Sequence, residues 1–184
     1  MPFRKPSLLD ENALFDYALR ALGARAHSIS ELKTKLKRRA EDPAIIDPVL
    51  SKLKQYGYLN DRKYADSFTA SRKEGRGFGS ERVLRELHGK QVPKLVAEQA
   101  VKEAYETTDE LDLADQLLKR KFRGKNLPEF LADPKHLQAA FRRLRYAGYS
   151  SAITIRALKR YTSGAEEINE PDDDGEGIRY GDAD

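Results

Sequence analysis

The chain has 184 residues, 39% of them apolar and 35% charged, and no apolar run approaches the roughly 20 residues that cross a bilayer, which excludes a membrane-spanning helix. The absence of cysteine excludes disulfides, a thiolate nucleophile and thiolate metal sites, and agrees with a reducing compartment. The net charge of +4 is unevenly spread, because residues 165–184 hold nine of the 30 acidic side chains and one of the 34 basic ones. The remaining body carries an excess of about twelve positive charges, a field that attracts phosphate or an acidic protein face.

Met1 to Leu9 reads as a flexible basic arm, with Pro2 and Pro6 discouraging regular structure and Arg4 and Lys5 adding charge. It lacks the apolar core of a signal peptide, so a soluble, cytoplasmic protein is expected. Asp10 offers an N-cap for a helix over 11–22, lined by Leu14, Ala18 and Leu22 and ended by Gly23. Ser28 and Glu31 have the spacing of a capping box, predicting a second helix to about Arg39 with Leu32 and Leu36 inward. The third helix has two possible starts, Asp42-Pro43 and Asp47-Pro48, so a kink or broken first turn is expected. Gly57 closes it with Tyr58 folded back, and Leu59 then staples onto Tyr64 across the Asn60 cap.

A second set follows: a helix bearing Tyr64, Ala65 and Phe68, a Gly-rich turn over 74–79, a helix over 80–89, and one begun by Pro93. A third set has a helix over 109–122, a loop containing Gly124, Pro128 and Pro134, and helices over 135–147 and from Ser150 to about Tyr161. The three sets share one register. Shifts of 51 and then 57 residues carry Leu36 onto Leu87 and Leu144, Ile45 onto Val96 and Ile153, Val49 onto Ala100 and Ala157, and Leu50 onto Val101 and Leu158. Such a period predicts one helix trio built three times: residues 10–58, 59–107 and 108–163, followed by a disordered acidic tail over 164–184.

Four stretches resemble the RecX family, bacterial regulators of the RecA recombinase. They are Arg25-Ala26-His27-Ser28-Ile29-Ser30-Glu31-Leu32 with Lys35-Leu36; Leu53 through Tyr56-Gly57-Tyr58-Leu59-Asn60-Asp61 with Tyr64-Ala65; Gly77-Phe78-Gly79-Ser80-Glu81-Arg82-Val83 with Glu86-Leu87; and Leu144-Arg145-Tyr146-Ala147-Gly148-Tyr149. Two features depart from the family pattern: Gln91, where glycine is common, and the acidic tail. The resemblance implies an all-α protein of three tandem three-helix repeats in a curved, elongated array. It also implies docking in the groove of the RecA filament on DNA, which limits filament extension or promotes disassembly and lowers recombinase and coprotease activity.

The residues themselves add a basic surface suited to such a target. In the third unit the candidates are Lys119, Arg120, Lys121, Arg123 and Lys125, then Arg142, Arg143 and Arg145, then Arg156, Lys159 and Arg160; in the first they are Lys33, Lys35, Lys37, Arg38 and Arg39. Arginine pairs in bidentate fashion with carboxylate or phosphate, so a stripe contacting the filament or the backbone of single- or double-stranded DNA is expected, weakly and without sequence preference. No catalytic residue, cofactor or metal site is predicted: His27, His88 and His136 are scattered, and Gly75, Gly77 and Gly79 follow no strand and precede no Gly-Lys-Ser/Thr, so they read as a flexible turn. Asp61 reads as a helix cap. Tyr56, Tyr58, Tyr146, Tyr149 and Tyr161 stand at helix ends, where packing between units is favoured over stacking on bases. Asp172, Asp173, Asp174 and Glu176 of the tail have the charge to fold back on the stripe. A nonenzymatic monomer is expected. The competing reading is a stand-alone helix-turn-helix DNA-binding protein, with the helix after Asp42 in a major groove.

Overall fold

A computed structural model of the chain describes residues 8–166; the start of the arm and the acidic residues beyond 166 lie outside the described residues. Among those described there are ten α-helices and no strand, only an isolated bridge between Leu9 and Ala40. The first trio is α1 (Glu11–Ala24), α2 (Ile29–Lys37) and α3 (Ile46–Gln55); the second is α4 (Asp61–Ala70), α5 (Ser80–Gly89) and α6 (Lys94–Tyr105). The third holds α7 (Glu110–Lys121), α8 (Leu127–Phe130), α9 (Pro134–Tyr146) and α10 (Ser151–Lys159), closed by a 3-10 turn, Ser163–Glu166.

Each trio has its own hydrophobic core, and the aligned columns keep the same burial in all three. Leu36, Leu87 and Leu144 are completely buried, Val49, Ala100 and Ala157 nearly so, while Ile45, Val96 and Ile153 are half-buried at the edge. Burying a leucine completely contributes about 1.5–3 kcal/mol, so the Leu36, Leu87 and Leu144 column supplies each unit with one such contribution. Among the described residues, only Phe78 packs against two cores, those of the second and third units.

Local chemistry explains the helix boundaries. Ser28 and Glu31 form the complete capping box of α2, with the Glu31 amide bonded to Ser28 Oγ at 3.1 Å and the Ser28 amide to Glu31 Oε2 at 3.4 Å. Pro43–Ile45 forms a 3-10 turn capped by Asp42, and α3 then starts at Ile46, so Pro48 falls in its first turn, where no intrahelical bond is lost. Gly23, expected to stop α1, lies inside its last turn, and the helix runs on to Ala24. The predicted loop after α7 is partly helical because α8 and the residue after it bury Leu127 and Leu131. Leu59 packs into the first core and Tyr64 into the second, so the expected staple between them gives way to a division between units. The chain also stays folded past Ser163, since Ala165 is completely buried in the third core.

The units are joined by a contact that repeats with the sequence. The carbonyls of Arg39, Lys90 and Ala147, related by the same shifts of 51 and 57 residues, each accept a hydrogen bond from the chain preceding that unit. The donors are the Leu9 amide at 2.7 Å, the Ser28 hydroxyl at 2.6 Å and the Gly79 amide at 2.8 Å. Leu9 thus does for the first unit what a whole unit does for the next, and it is tied down rather than part of a loose arm. A second contact repeats as well: the amides of Ile29 and Ser80 donate at 2.8 Å to Asp61 and Glu110, the first helical residues of the following unit. Asp61 therefore caps a helix of the neighbouring unit rather than its own, which Asn60 caps.

The Gly-rich turn is a packing device. The π-helical turn Ser71–Arg76 ends at Gly77 in the left-handed conformation (φ +63°), and Gly79 is buried against Gly148.

Candidate nucleic-acid interface

The basic residues of the first unit converge where α2 meets α3. Lys33 Nζ lies 2.7 Å from Asp47, and this bond, reinforced by Lys37 and Lys54, holds the Asp47 carboxyl below its ordinary range. Lys54 therefore joins the cluster expected on α2. The side chains of Lys35, Lys37 and Arg38 make no hydrogen bond or ion pair with another described residue. Arg39 is different: its guanidinium packs over the Tyr17 ring at 5.0 Å and its Nε is buried, so it serves the core edge rather than a ligand.

The expected stripe of the third unit divides by contact. Lys119 and Arg160 are neutralised by acids of α7, at 2.7 Å to Asp115 and 2.9 Å to Asp112. Burial would raise the pKa of Asp115, but hydrogen bonds from Lys119 and the Tyr161 hydroxyl outweigh it and hold the carboxyl below its ordinary range. Arg120 and Arg145 brace junctions: Arg120 donates to the Gly75 and Arg76 carbonyls of the second unit, and Arg145 to the Tyr149 carbonyl at 2.6 Å while facing Glu81 at 3.6 Å. Lys159 is engaged as well. Lys125 and Arg143 lie over the Phe130 and Phe122 rings, which keep their charges near the solvent. Lys121, Arg123, Arg142 and Arg156 remain exposed with no ion pair to another described residue. The structure thus reduces eleven expected cations to about half that number available to a polyanion; charge count along a sequence cannot distinguish a brace from a free head group.

A junction cluster in the second unit was not expected. Arg82 is sandwiched between Phe78 at 3.7 Å and Tyr146 at 4.4 Å, and Arg82 and Arg72 both bond to Glu86, at 2.8 and 2.7 Å. Burial raises the Glu86 pKa, yet the two arginines prevail and hold it low. The four-residue spacings Phe78 to Arg82 and Arg82 to Glu86 were a readable helical signal; the Tyr146 contact, 64 residues away, was not. Of the tyrosines, Tyr149 is completely buried with its hydroxyl on the Gly77 carbonyl at 2.8 Å, and Tyr161 bonds Asp115. Tyr56 and Tyr58 are corrections to the packing expectation, being 66% and 59% exposed, whereas Tyr146, though 51% exposed, packs on Arg82 across the junction.

Tandem three-helix units with a surface cationic in patches define a helical-repeat protein. Comparison with known proteins places it further. The family models described as the first and second three-helix domains of RecX match residues 15–53 and 60–101. The regulatory protein RecX of Leptothrix cholodnii is 36% identical over 142 residues, covering 77% of this chain and 85% of that protein. That of Deinococcus radiodurans is 31% identical over 158 residues, covering 85% and 72%. The crystal structure of RecX from Lactobacillus salivarius superposes with a TM-score of 0.66 at 18% identity, over 82% of this chain and 96% of that one, a likeness of fold. The chain belongs to the RecX family of regulatory proteins.

Proposed function

We propose that the protein is a cytoplasmic, monomeric and nonenzymatic restraint on a RecA-type recombinase. It docks in the groove of the recombinase filament on DNA and limits filament extension or promotes its disassembly, lowering recombinase and coprotease activity. Family membership carries this reading. It is supported by two separate sets of unneutralised cations, Lys35, Lys37 and Arg38 in the first unit and Lys121, Arg123, Arg142 and Arg156 in the third. Cations at both ends of a tandem array suit a long, repeating anionic target more than a single short one. The unit boundaries at 58/59 and 107/108 belong to the same proposal, each unit being one docking module.

The helix-turn-helix alternative has less support, because the 3-10 turn leading into α3 holds Pro43, Ala44 and half-buried Ile45, and α3 begins at buried Ile46, where base readout requires polar side chains.

The test adds the full chain to a RecA-type recombinase on single-stranded DNA and follows ATP turnover. The wild type lowers turnover, and a folded R123E/R142E/R156E variant loses that effect. A wild-type protein that leaves turnover unchanged overturns the reading, while an unimpaired triple variant removes the third unit from the interface.

A further inference from the structure

The end of α3 carries an exposed aromatic pair that the fold does not use. Gly57 adopts the left-handed conformation (φ +75°), with its amide bonded to the Lys54 carbonyl at 3.0 Å and the Tyr58 amide to the Leu53 carbonyl at 2.9 Å. The same double bond closes α5 at Gln91-Val92 and α9 at Gly148-Tyr149. In those two turns the residue after the left-handed position is buried: Val92 is 4% exposed and Tyr149 0%. Tyr58, in the same place, is 59% exposed, and Tyr56 beside it is 66% exposed. The turn itself therefore requires neither ring to face solvent.

The repeat does not require them either. At the shifts that align the cores, the positions of Tyr56 and Tyr58 are occupied by Thr107 and Asp109 and then by Gly164 and Glu166. The pair is nonetheless organised. The two ring centroids are 6.2 Å apart, and Phe15 of α1 braces Tyr56 edge-on at 6.2 Å. Lys54, two residues before Tyr56 in the last turn of α3, is exposed and, like Lys37 of α2, within electrostatic reach of Asp47, which Lys33 already binds. Flat, solvent-facing rings on a unit that also carries surplus cations match a chain whose bases are free to stack and whose phosphates need countercharge. An acidic protein face would draw on the cations and leave the rings unexplained.

We propose that Tyr56 and Tyr58 are a stacking platform for the bases of a single-stranded nucleic acid whose phosphates run over Lys54 and Lys37. The contact is base-directed yet tolerant of sequence, because every base offers a flat face, and it is confined to the first unit. It does not rest on the recombinase reading, and its test contains no recombinase.

The experiment titrates the full chain into a fluorescein-labelled oligothymidylate, an oligothymidylate containing 2-aminopurine, and an abasic strand of equal length. Three proteins are compared: wild type, Y56A/Y58A and Y56F/Y58F. Both side chains are exposed, so the variants fold, which far-UV circular dichroism verifies. The alanine variant binds the base-bearing strand at least about tenfold more weakly and loses the 2-aminopurine response. The phenylalanine variant keeps both, since it keeps the rings. The abasic strand binds more weakly than the normal one and does not distinguish the three proteins. Equal affinity of wild type and alanine variant for the base-bearing strand overturns the proposal, as does an abasic strand bound as tightly as the normal one.

Discussion

Gly79 faces Gly148 across the second junction so closely that a Cβ on Gly79 would fall 2.3 Å from the Gly148 carbonyl oxygen. The neighbouring contact, the Gly79 amide on the Ala147 carbonyl at 2.8 Å, holds the two backbones at that distance. A methyl group there meets backbone on the other side, which cannot rotate away, so the second and third units must separate. Gly79→Ala is expected to cost about 3 kcal/mol, at the upper end of overpacking effects. Gly75→Ala, four residues earlier with nothing within 4 Å of its added Cβ, should be neutral or slightly stabilising. Chemical denaturation of the two variants checks the contrast, and equal midpoints would rule out the tight junction.

Gln91 is the one non-glycine residue with a positive φ among those described, at +55°, and it closes α5 as Gly148 closes α9. Its exposed side chain makes no contact that compensates the strain. Left-handed backbone costs a non-glycine residue about 1–2 kcal/mol, while glycine adds about 0.5–1 kcal/mol of unfolded-state entropy, so the first term wins. Gln91→Gly is expected to stabilise by about 0.5–1 kcal/mol and raise the thermal midpoint by about 1–4 °C. Gly57→Ala, the reverse change at φ +75° in open space, should lower it. A midpoint unmoved or lowered by Gln91→Gly would contradict the argument.

His27, in the turn between α1 and α2, is 4% exposed, and among the described residues neither ring nitrogen has a hydrogen bond of ordinary geometry. Burial first, then the charges of Arg25 and Lys35, lower its pKa, and Glu31 at 3.9 Å opposes them without prevailing. The unfolded chain accepts a proton near pH 6.5 that the folded one refuses, so stability is lost as pH falls through that value. Glu31 is held low by Lys90 and Arg25 against the opposing effect of burial, so its loss comes only in a more acidic window. Thermal unfolding between pH 8 and 5 should show a decline below about pH 6.5 that His27→Phe removes. Matching profiles for the two proteins would exclude His27 as its source.

Much of the fold was legible because it is local. The Ser28–Glu31 box, the Gly57 turn and the Leu36, Leu87 and Leu144 column depend on residues within a few turns of one another, and a helix reports such chemistry wherever it packs. The candidate surface was legible only in outline. Lys119 and Arg123 look alike in a sequence, yet one is held by Asp115 and the other is not. Tyr58 and Tyr149 follow the same kind of turn and end on opposite sides of the solvent boundary.

The amino-acid order alone determined three helix trios, their register and their excess of positive charge, since periodicity, capping and net charge are properties of short stretches and sums. Only the tertiary structure decided which carbonyl each unit offers the chain before it, that Leu9 takes that carbonyl in the first unit, and which cations and rings stay free for a partner. Those outcomes depend on distances between residues tens of positions apart, and packing sets such distances while composition does not.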